Sequence, residues 1–204
     1  MTLKLYHAPH SRSSRIISQL FEMDLMDAVD IIHVTIPRQD GSGGRDPNNP
    51  HPEGKVPLLV HDDITIWESG AIMQYLTDLF PDRGFGAAPG DAKRGLYLSW
   101  LYYYGDVMEP VIVHKYAELT HPALQTTFRG FEEMTERLAN GLKDQPFLLG
   151  DSYTAADLLV HSPFAWFADF TPDVPVIKDW VARCTSRDAA TKTMEFDADL
   201  MAAA

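Results

Sequence analysis

The stretch Lys55-Val56-Pro57-Leu58-Leu59, followed by Trp67-Glu68-Ser69-Gly70-Ala71-Ile72, decides the fold of this chain of 204 residues. A proline is tolerated at the first residue of a short apolar strand, and an X-Pro bond there can be cis. A cis Val56-Pro57 bond would let Val56 offer its backbone N–H and C=O to an extended peptide. Glu68-Ser69 then ends a second strand and opens a helix, with Ser69 as a good N-cap.

These two stretches predict a receptor for a small peptide. The free N–H groups at a helix N-terminus bind a carboxylate, and Glu68 can hold an ammonium group beside it. The helix that follows has one apolar stripe, which would face a core. A ligand that carries an amine, a carboxylate and a backbone amide close together fits this arrangement.

The first part of the chain alternates between strand and helix signals. Strands are expected at residues 3–6, 29–34, 58–60 and 65–67, and helices at residues 11–23 and 69–80. A strand, a helix and a second strand of these lengths predict a right-handed βαβ unit with a parallel pair. Residues 35–53 are dense in Gly, Pro, Asn and Asp and predict a long surface loop. The order of elements is thioredoxin-like.

The second part of the chain shows only helical patterns. Residues 81–90 are rich in proline, glycine and alanine, which is typical of a linker. Helices are expected at residues 92–119, with a kink at Pro110, and at 122–142, 154–170 and 174–186. The sequence therefore predicts an α/β thioredoxin-like domain over residues 1–80, a linker over 81–90 and an all-α helical-bundle domain over 91–204.

Composition narrows the classes of partner. The net charge of −12 argues against nucleic acid and anionic membranes. No apolar run approaches the ~20 residues that span a bilayer, and the N-terminus leads into a strand rather than a signal peptide. The single cysteine, Cys184, excludes an internal disulfide framework and is compatible with a reducing cytoplasm. The eight histidines include no His-Glu-x-x-His pattern, so we expect no metal site.

In their order and spacing, these segments resemble the cytosolic glutathione transferases. Leu3-Lys4-Leu5-Tyr6 resembles the first strand, and residues 9–15 resemble the loop that carries the catalytic hydroxyl in the bacterial-type, serine-containing branch. Residues 150–157 resemble the capping motif of the second domain, and Thr154 with Asp157 three positions later predicts a capping box. The resemblance implies a cytoplasmic, homodimeric detoxification enzyme with glutathione as co-substrate. It also implies a dimer interface formed by the helix after Ser69 and the long helix after the linker.

Three hydroxyl groups are candidates for the contact with the glutathione sulfur. Only the thiolate attacks an electrophile, and a donated hydrogen bond favours that ionised form. Ser11 is the first candidate, although a serine at this position can also simply cap the first helix. Ser13 comes next, and Tyr6 is the third because other branches of the family use a tyrosine at the end of this strand.

The resemblance also implies residues for the rest of the ligand. Val56-Pro57 would contact the peptide backbone of glutathione, and Glu68 with Ser69 would hold its γ-glutamyl end. Lys55 and His51 are alternatives for the glycyl carboxylate, and each could instead be an ordinary surface residue.

A helix rich in aromatic residues walls the electrophile pocket in this family. Facing residues are expected among Tyr103, Tyr104, Met108 and His114, but the sequence alone does not phase this helix. The main functional hypothesis is therefore a glutathione transferase acting on a small hydrophobic electrophile. Two alternatives are a specialised glutathione-dependent lyase, dehalogenase or isomerase, and a non-catalytic glutathione-binding scaffold protein.

Overall fold

The computed structural model describes residues 2–203. Backbone contacts divide it into two compact units. The first unit runs up to Gly84 and also includes the residues from Arg187 onward, and the second is Phe85–Ser186. This division differs from the boundaries expected from sequence, which ended the first domain at residue 80 and assigned all of 91–204 to the helical domain.

A four-stranded sheet in the order β2-β1-β3-β4 forms the centre of the first unit. Its strands are β1 (Leu3–His7), β2 (Asp30–His33), β3 (Leu58–His61) and β4 (Ile64–Trp67). β1 pairs parallel with β2 and antiparallel with β3, and β3 pairs antiparallel with β4. The parallel pair requires a crossover connection, which confirms the predicted βαβ unit and the thioredoxin-like arrangement.

Two helices follow from the apolar periodicity of the first unit. They are α1 (Ser14–Glu22), which lies between β1 and β2, and α2 (Ser69–Leu79), which follows β4. Alternate residues of β1 are buried, so that Leu5 and His7 share one face of the strand while Tyr6 is on the other. The α1 face with Ile16 and Leu20 is completely buried. The helix begins at Ser14 rather than at the expected residue 11, because residues 11–13 form a turn.

The second unit is helical, as predicted. Its helices are α3 (Arg94–Tyr103), α4 (Glu109–Tyr116), α5 (Pro122–Phe128), α6 (Phe131–Gly141), α7 (Ala155–Trp166) and α8 (Pro175–Thr185). Cys184 is buried on α8. Within residues 2–203, no helix is both long enough and apolar enough to cross a membrane.

Helix breaks in this unit show where local signals were insufficient. A π-helical turn over Tyr104–Met108 separates α3 from α4 just before Pro110. Such turns are rare and occur mostly as single turns inside α-helices. The single helix expected over residues 122–142 is wrong, because Arg129 adopts a positive φ of 63° and separates α5 from α6. Sequence alone gives little warning of such a conformation, since arginine is compatible with a helix interior.

A last helix, α9 (Asp188–Ala202), was not predicted and packs against α1 in the first unit. Arg187 joins α9 to this unit through two hydrogen bonds of 2.6 Å to the carboxylate of Glu22. A bidentate pair of this kind fixes geometry as well as adding energy. The end of the chain therefore contributes residues to the thioredoxin-like unit.

The predicted capping box at the start of α7 is present. Asp157 accepts hydrogen bonds from the backbone N–H and the hydroxyl of Thr154, both at 3.1 Å. It also accepts from the Leu148 N–H at 2.8 Å and from Trp180 Nε1 at 3.0 Å. Burial raises the pKa of Asp157 above its usual range, although these donors act in the opposite direction. A residue expected to be a local cap thus also connects three segments of the helical unit.

Candidate active site

The strand register brings the predicted ligand-binding segments to one end of the sheet. Tyr6 is paired with Leu58, and Leu58 with Trp67. Because β3 runs antiparallel to both neighbours, the residues that follow β1, precede β3 and follow β4 all lie beyond the same end of the sheet. The loop from Ala8, the Val56-Pro57 segment and Glu68-Ser69 therefore lie near one another.

Val56 is part of a small apolar cluster at this end of the sheet. The Val56-Pro57 peptide bond is cis, as predicted. The side chain of Val56 packs with Ala8 and Val34, and the partly buried Tyr6 packs against this cluster. This cluster connects the loops after β1 and β2 to the segment before β3, so it determines where the Val56 backbone lies.

Glu68 and Ser69 lie at the start of α2. The helix begins at Ser69 with Glu68 as its N-cap residue, so the expectation that Ser69 is the N-cap is wrong by one position. Glu68 has a positive φ of 69°, an uncommon conformation for a residue with a side chain. Such conformations cost free energy and persist where the surroundings impose them, often at ligand-binding positions. Glu68 is exposed and directly precedes the free N–H groups of the helix, and within the described residues its side chain makes no capping hydrogen bond.

Charged residues from three segments are close enough to influence one another here. The pKa of Lys55 is raised above its usual value, mainly by a hydrogen bond to Glu53 and by its charge. The carboxylate of Glu68 raises that pKa further, whereas the positive charge of Arg12 lowers it. An anionic peptide would therefore meet two cations, Lys55 and Arg12, beside the Glu68 carboxylate that suits its ammonium group.

His51 is buried rather than on the surface. Its backbone N–H donates to Asn49 Oδ1 at 3.0 Å, and its Nδ1 accepts from the Glu53 N–H at 3.0 Å. A nitrogen that accepts carries no proton, so the neutral ring has its N–H at Nε2. Asn49 also donates from Nδ2 to the Lys55 carbonyl at 3.1 Å. His51 therefore supports the loop that leads to Lys55, and only Nε2 is available to a ligand.

The structure distinguishes the three candidate hydroxyl residues by exposure. Ser11 is half-buried, Ser13 is completely buried, and Tyr6 is half-buried against the apolar cluster. Ser11 Oγ lies 2.7 Å from the Ala8 carbonyl and 2.8 Å from Ser13 Oγ. Ser13 is the N-cap residue of α1, although its side chain makes no capping hydrogen bond within the described chain.

Two residues that the sequence did not identify lie directly behind these serines. His7 Nδ1 is 2.8 Å from Ser13 Oγ, and His7 Nε2 is 3.0 Å from Asp197 Oδ1. Asp197 is on α9 and is 2% exposed. No sequence signal could have paired residues 190 positions apart.

Arg38 is a third residue that the sequence did not identify. Its guanidinium donates to the Pro9 carbonyl at 2.6 Å and the His10 carbonyl at 3.0 Å. These bonds tie the long loop after β2 to the loop that carries Ser11.

The four residues predicted to face the electrophile differ in exposure. Tyr104 is 2% exposed and Met108 is completely buried, so neither presents a surface to a substrate in this structure. Tyr103 is half-buried, with the Arg137 guanidinium 4.7 Å from its ring centroid. His114 is also half-buried and stacks at a tilt against Phe128, with 5.6 Å between ring centroids.

Two family models match this chain. The model of the glutathione S-transferase N-terminal domain matches residues 1–78, and that of the C-terminal domain matches residues 108–188. Glutathione S-transferase aclG of Aspergillus oryzae is 30% identical over 71% of this chain and 74% of its own length. These matches extend from the sheet into the helical unit.

The matches to other relatives cover different fractions of this chain and of those proteins. Glutathione S-transferase GstA of Escherichia coli O157:H7 is 30% identical, but the match spans only 57% of this chain and 59% of that protein. A dichloromethane dehalogenase of Methylophilus leisingeri is 26% identical over 92% of this chain and 77% of its own length. Among solved structures, a glutathione transferase of Methylococcus capsulatus aligns with a TM-score of 0.77 over 97% of this chain and 99% of its own, at 24% identity. That likeness shows the shared fold.

Proposed function

The chain belongs to the glutathione S-transferase family, and on this premise we propose that it activates the thiol of glutathione for attack on a small apolar electrophile. The observation that carries the proposal is the convergence of three segments at one end of the sheet. These segments supply a partly exposed hydroxyl at Ser11, a backbone edge at Val56 and the α2 N-terminus beside Glu68.

Each segment suits one part of glutathione. Glu68 pairs with the γ-glutamyl ammonium group, while Ser69 and the N–H groups of α2 bind its carboxylate. The Val56 backbone pairs with the cysteinyl amide, as an added strand would. The glycyl carboxylate is within reach of Lys55, whose charge Glu53 already partly neutralises, and of His51 through Nε2.

Ser11 is the proposed contact of the sulfur. It is the more exposed of the two serines, and a hydroxyl that donates to sulfur favours the thiolate. Ser13 is fully buried, so a sulfur atom could reach it only by displacing the neighbouring loop. Tyr6 remains the alternative, because its ring lies at the same end of the sheet.

A second candidate function is removal of halide from a small haloalkane. It is favoured by the dichloromethane dehalogenase of Methylophilus leisingeri, which aligns over most of this chain. The same thiolate would attack the carbon and release halide. A panel of haloalkane and aryl-halide substrates, with halide release and the thioether product measured together, separates the two functions.

The test of the sulfur contact is the thiolate absorbance of the enzyme–glutathione complex, titrated from about pH 5 to 10. We expect Ser11→Ala to raise the apparent pKa of the bound thiol and to leave glutathione affinity nearly unchanged, because the peptide ends supply most of the binding. Ser42→Ala, an exposed serine in the long loop, is the matched control. If Ser11→Ala and the parent titrate identically while Tyr6→Phe shifts the curve, Tyr6 is the contact. If the parent binds glutathione without turnover of any substrate, the chain is a binding protein instead.

A further inference from the structure

A hydrogen-bonded chain leads from Ser11 into the interior of the first unit. It runs from Ser11 Oγ to Ser13 Oγ (2.8 Å), from there to His7 Nδ1 (2.8 Å), and from His7 Nε2 to Asp197 Oδ1 (3.0 Å). His7 is completely buried. The ring of Phe196 lies 6.0 Å from that of His7 and forms an apolar wall beside it.

The direction of the hydrogen bonds follows from the chemistry of these groups. An ionised carboxylate only accepts hydrogen bonds, so His7 Nε2 carries a proton and donates a hydrogen bond to Asp197. The Nδ1 of the neutral imidazole is then an acceptor, and the Ser13 hydroxyl must donate to it. Ser13 Oγ in turn accepts from the Ala8 N–H at 3.1 Å and is free to accept from Ser11. The proton of Ser13 is thus committed to His7. The Ser11 hydroxyl donates to the Ala8 carbonyl at 2.7 Å in this structure, so it has to turn away from that carbonyl to donate to the sulfur or to Ser13.

Asp197 is held ionised and in one orientation. Besides His7, it accepts from Ser14 Oγ at 2.6 Å and from the His10 N–H at 2.8 Å. Burial opposes ionisation, but these three hydrogen bonds and the nearby His7 together lower the pKa of Asp197 below its usual value. A buried carboxylate with this many donors can stabilise a positive charge on the neighbouring imidazole.

We propose that His7 is the acceptor of the glutathione thiol proton, reached through Ser11 and Ser13, and that Asp197 is the positioning residue that makes His7 able to accept it. This inference rests on the proposed glutathione-activating function. The S–H bond breaks and its proton goes to Ser11 Oγ, while the proton of Ser11 moves to Ser13 and that of Ser13 moves to His7 Nδ1. The products are a thiolate, which now accepts a hydrogen bond from Ser11, and an imidazolium paired with Asp197.

The proton stays on the protein in this scheme. His7 has no solvent-exposed surface, and the imidazolium and carboxylate form a neutral pair, which reduces the cost of burying charge. His10 is a further titratable group nearby, with its Nδ1 3.9 Å from Asp197 Oδ2. Arg12 and Arg15 follow it in the sequence, in the same loop and at the start of α1. Thiolate can therefore form without releasing a proton to solvent.

This consequence can be measured on the unaltered protein. Thiolate absorbance gives the amount of thiolate formed when glutathione binds near pH 7. Calorimetric binding in two buffers with different ionisation enthalpies gives the number of protons released. S-Methylglutathione is the matched ligand, because it carries the same charged groups without a thiol. We expect glutathione to form thiolate while releasing no more protons than S-methylglutathione does. One additional proton released for each thiolate formed would overturn the relay.

Variants test the relay from a second direction. Asp197→Asn keeps the side-chain shape, but its amide can donate to Nε2, and the neutral imidazole then has its proton at Nδ1 and cannot accept one there. Ser13→Ala breaks the chain in the middle and leaves the His7–Asp197 pair in place. We expect each variant to raise the apparent pKa of the bound thiol and to lower kcat/KM at pH 6.5 by on the order of a hundredfold. Near pH 9, kcat/KM of each variant should return most of the way to that of the parent. Affinity for S-methylglutathione should stay within about twofold.

Asp199→Asn is the control, because Asp199 is an exposed carboxylate on the same helix. It should behave like the parent in every assay. If Ser11→Ala shifts the thiol titration while folded Asp197→Asn and Ser13→Ala do not, the relay is wrong and the proposed function stands. If the parent forms no thiolate complex with glutathione at all, the proposed function fails as well. Should both buried variants fail to fold, the proton count on the unaltered protein still decides.

Discussion

Replacement of Asp157 is the perturbation whose effect can be worked out most fully from the structure. Its carboxylate accepts from three N–H groups, on Leu148, Thr154 and Trp180, and from the Thr154 hydroxyl. In Asp157→Ala the three N–H donors lose their partner inside the helical unit. The hydroxyl can rotate to another acceptor, so it is not counted.

The expected loss of stability follows from the number of orphaned donors. A buried donor left without a partner costs about 1–3 kcal/mol. Three such donors cost at least about 3 kcal/mol of stability. Part of this loss is recovered, because the variant no longer has to bury a carboxylate. Asp157→Asn can keep its oxygen toward Leu148 and Trp180 while its NH₂ group faces the Thr154 N–H. One donor is then orphaned, and the expected loss is about 1–3 kcal/mol.

Urea unfolding followed by tryptophan fluorescence measures both variants, with m-values used to check that the transition is unchanged. Asp179→Asn, an exposed carboxylate one residue before Trp180, is the control and should lie within about 0.5 kcal/mol of the parent. The expected order of stability is parent, Asn variant, Ala variant. If Asp157→Ala were no less stable than Asp157→Asn, the counting of orphaned donors would be refuted.

Two further predictions concern the first unit. Glu68→Ala and Ser69→Ala should each weaken glutathione binding roughly ten- to a hundredfold, because each removes a charge-assisted hydrogen bond worth about 1.5–3 kcal/mol. Calorimetry measures the affinity, and Asp63→Ala, in the hairpin turn at the opposite end of the sheet, is the control. Unchanged affinity in both variants would contradict the placement of the γ-glutamyl group at these two residues. Because the pKa of Asp197 is lowered in the folded state, its stabilising contribution is present above the unfolded value of about 3.9 and is lost as pH falls through the folded value. Histidine side chains ordinarily change charge between about pH 5 and 8, and His7 contacts Asp197, so the test uses the range below about pH 5. The stability difference between the parent and Asp197→Asn should shrink as pH falls from about 5 toward 3, and a difference that grew over this range would reverse the assigned direction.

The sequence by itself determined those features that depend on neighbours in the chain. Each predicted strand lies within one residue of its observed bounds, because residue alternation and the adjoining turns are local signals. The capping box between Thr154 and Asp157 was readable for the same reason, as its two residues are three positions apart. The identity and order of the segments that surround the proposed glutathione site could also be predicted, since each has its own short motif.

Only the tertiary structure decided which distant residues meet. The placement of α9 against α1 could not be derived from its sequence, because an amphipathic helix does not specify the surface that covers it. That placement brings Asp197 to His7 and so completes the chain behind Ser11. Likewise, Arg129 interrupts a helix through a backbone conformation that its residue type does not favour. In both cases the outcome depends on packing between segments far apart in the sequence, and local periodicity carries no information about such packing.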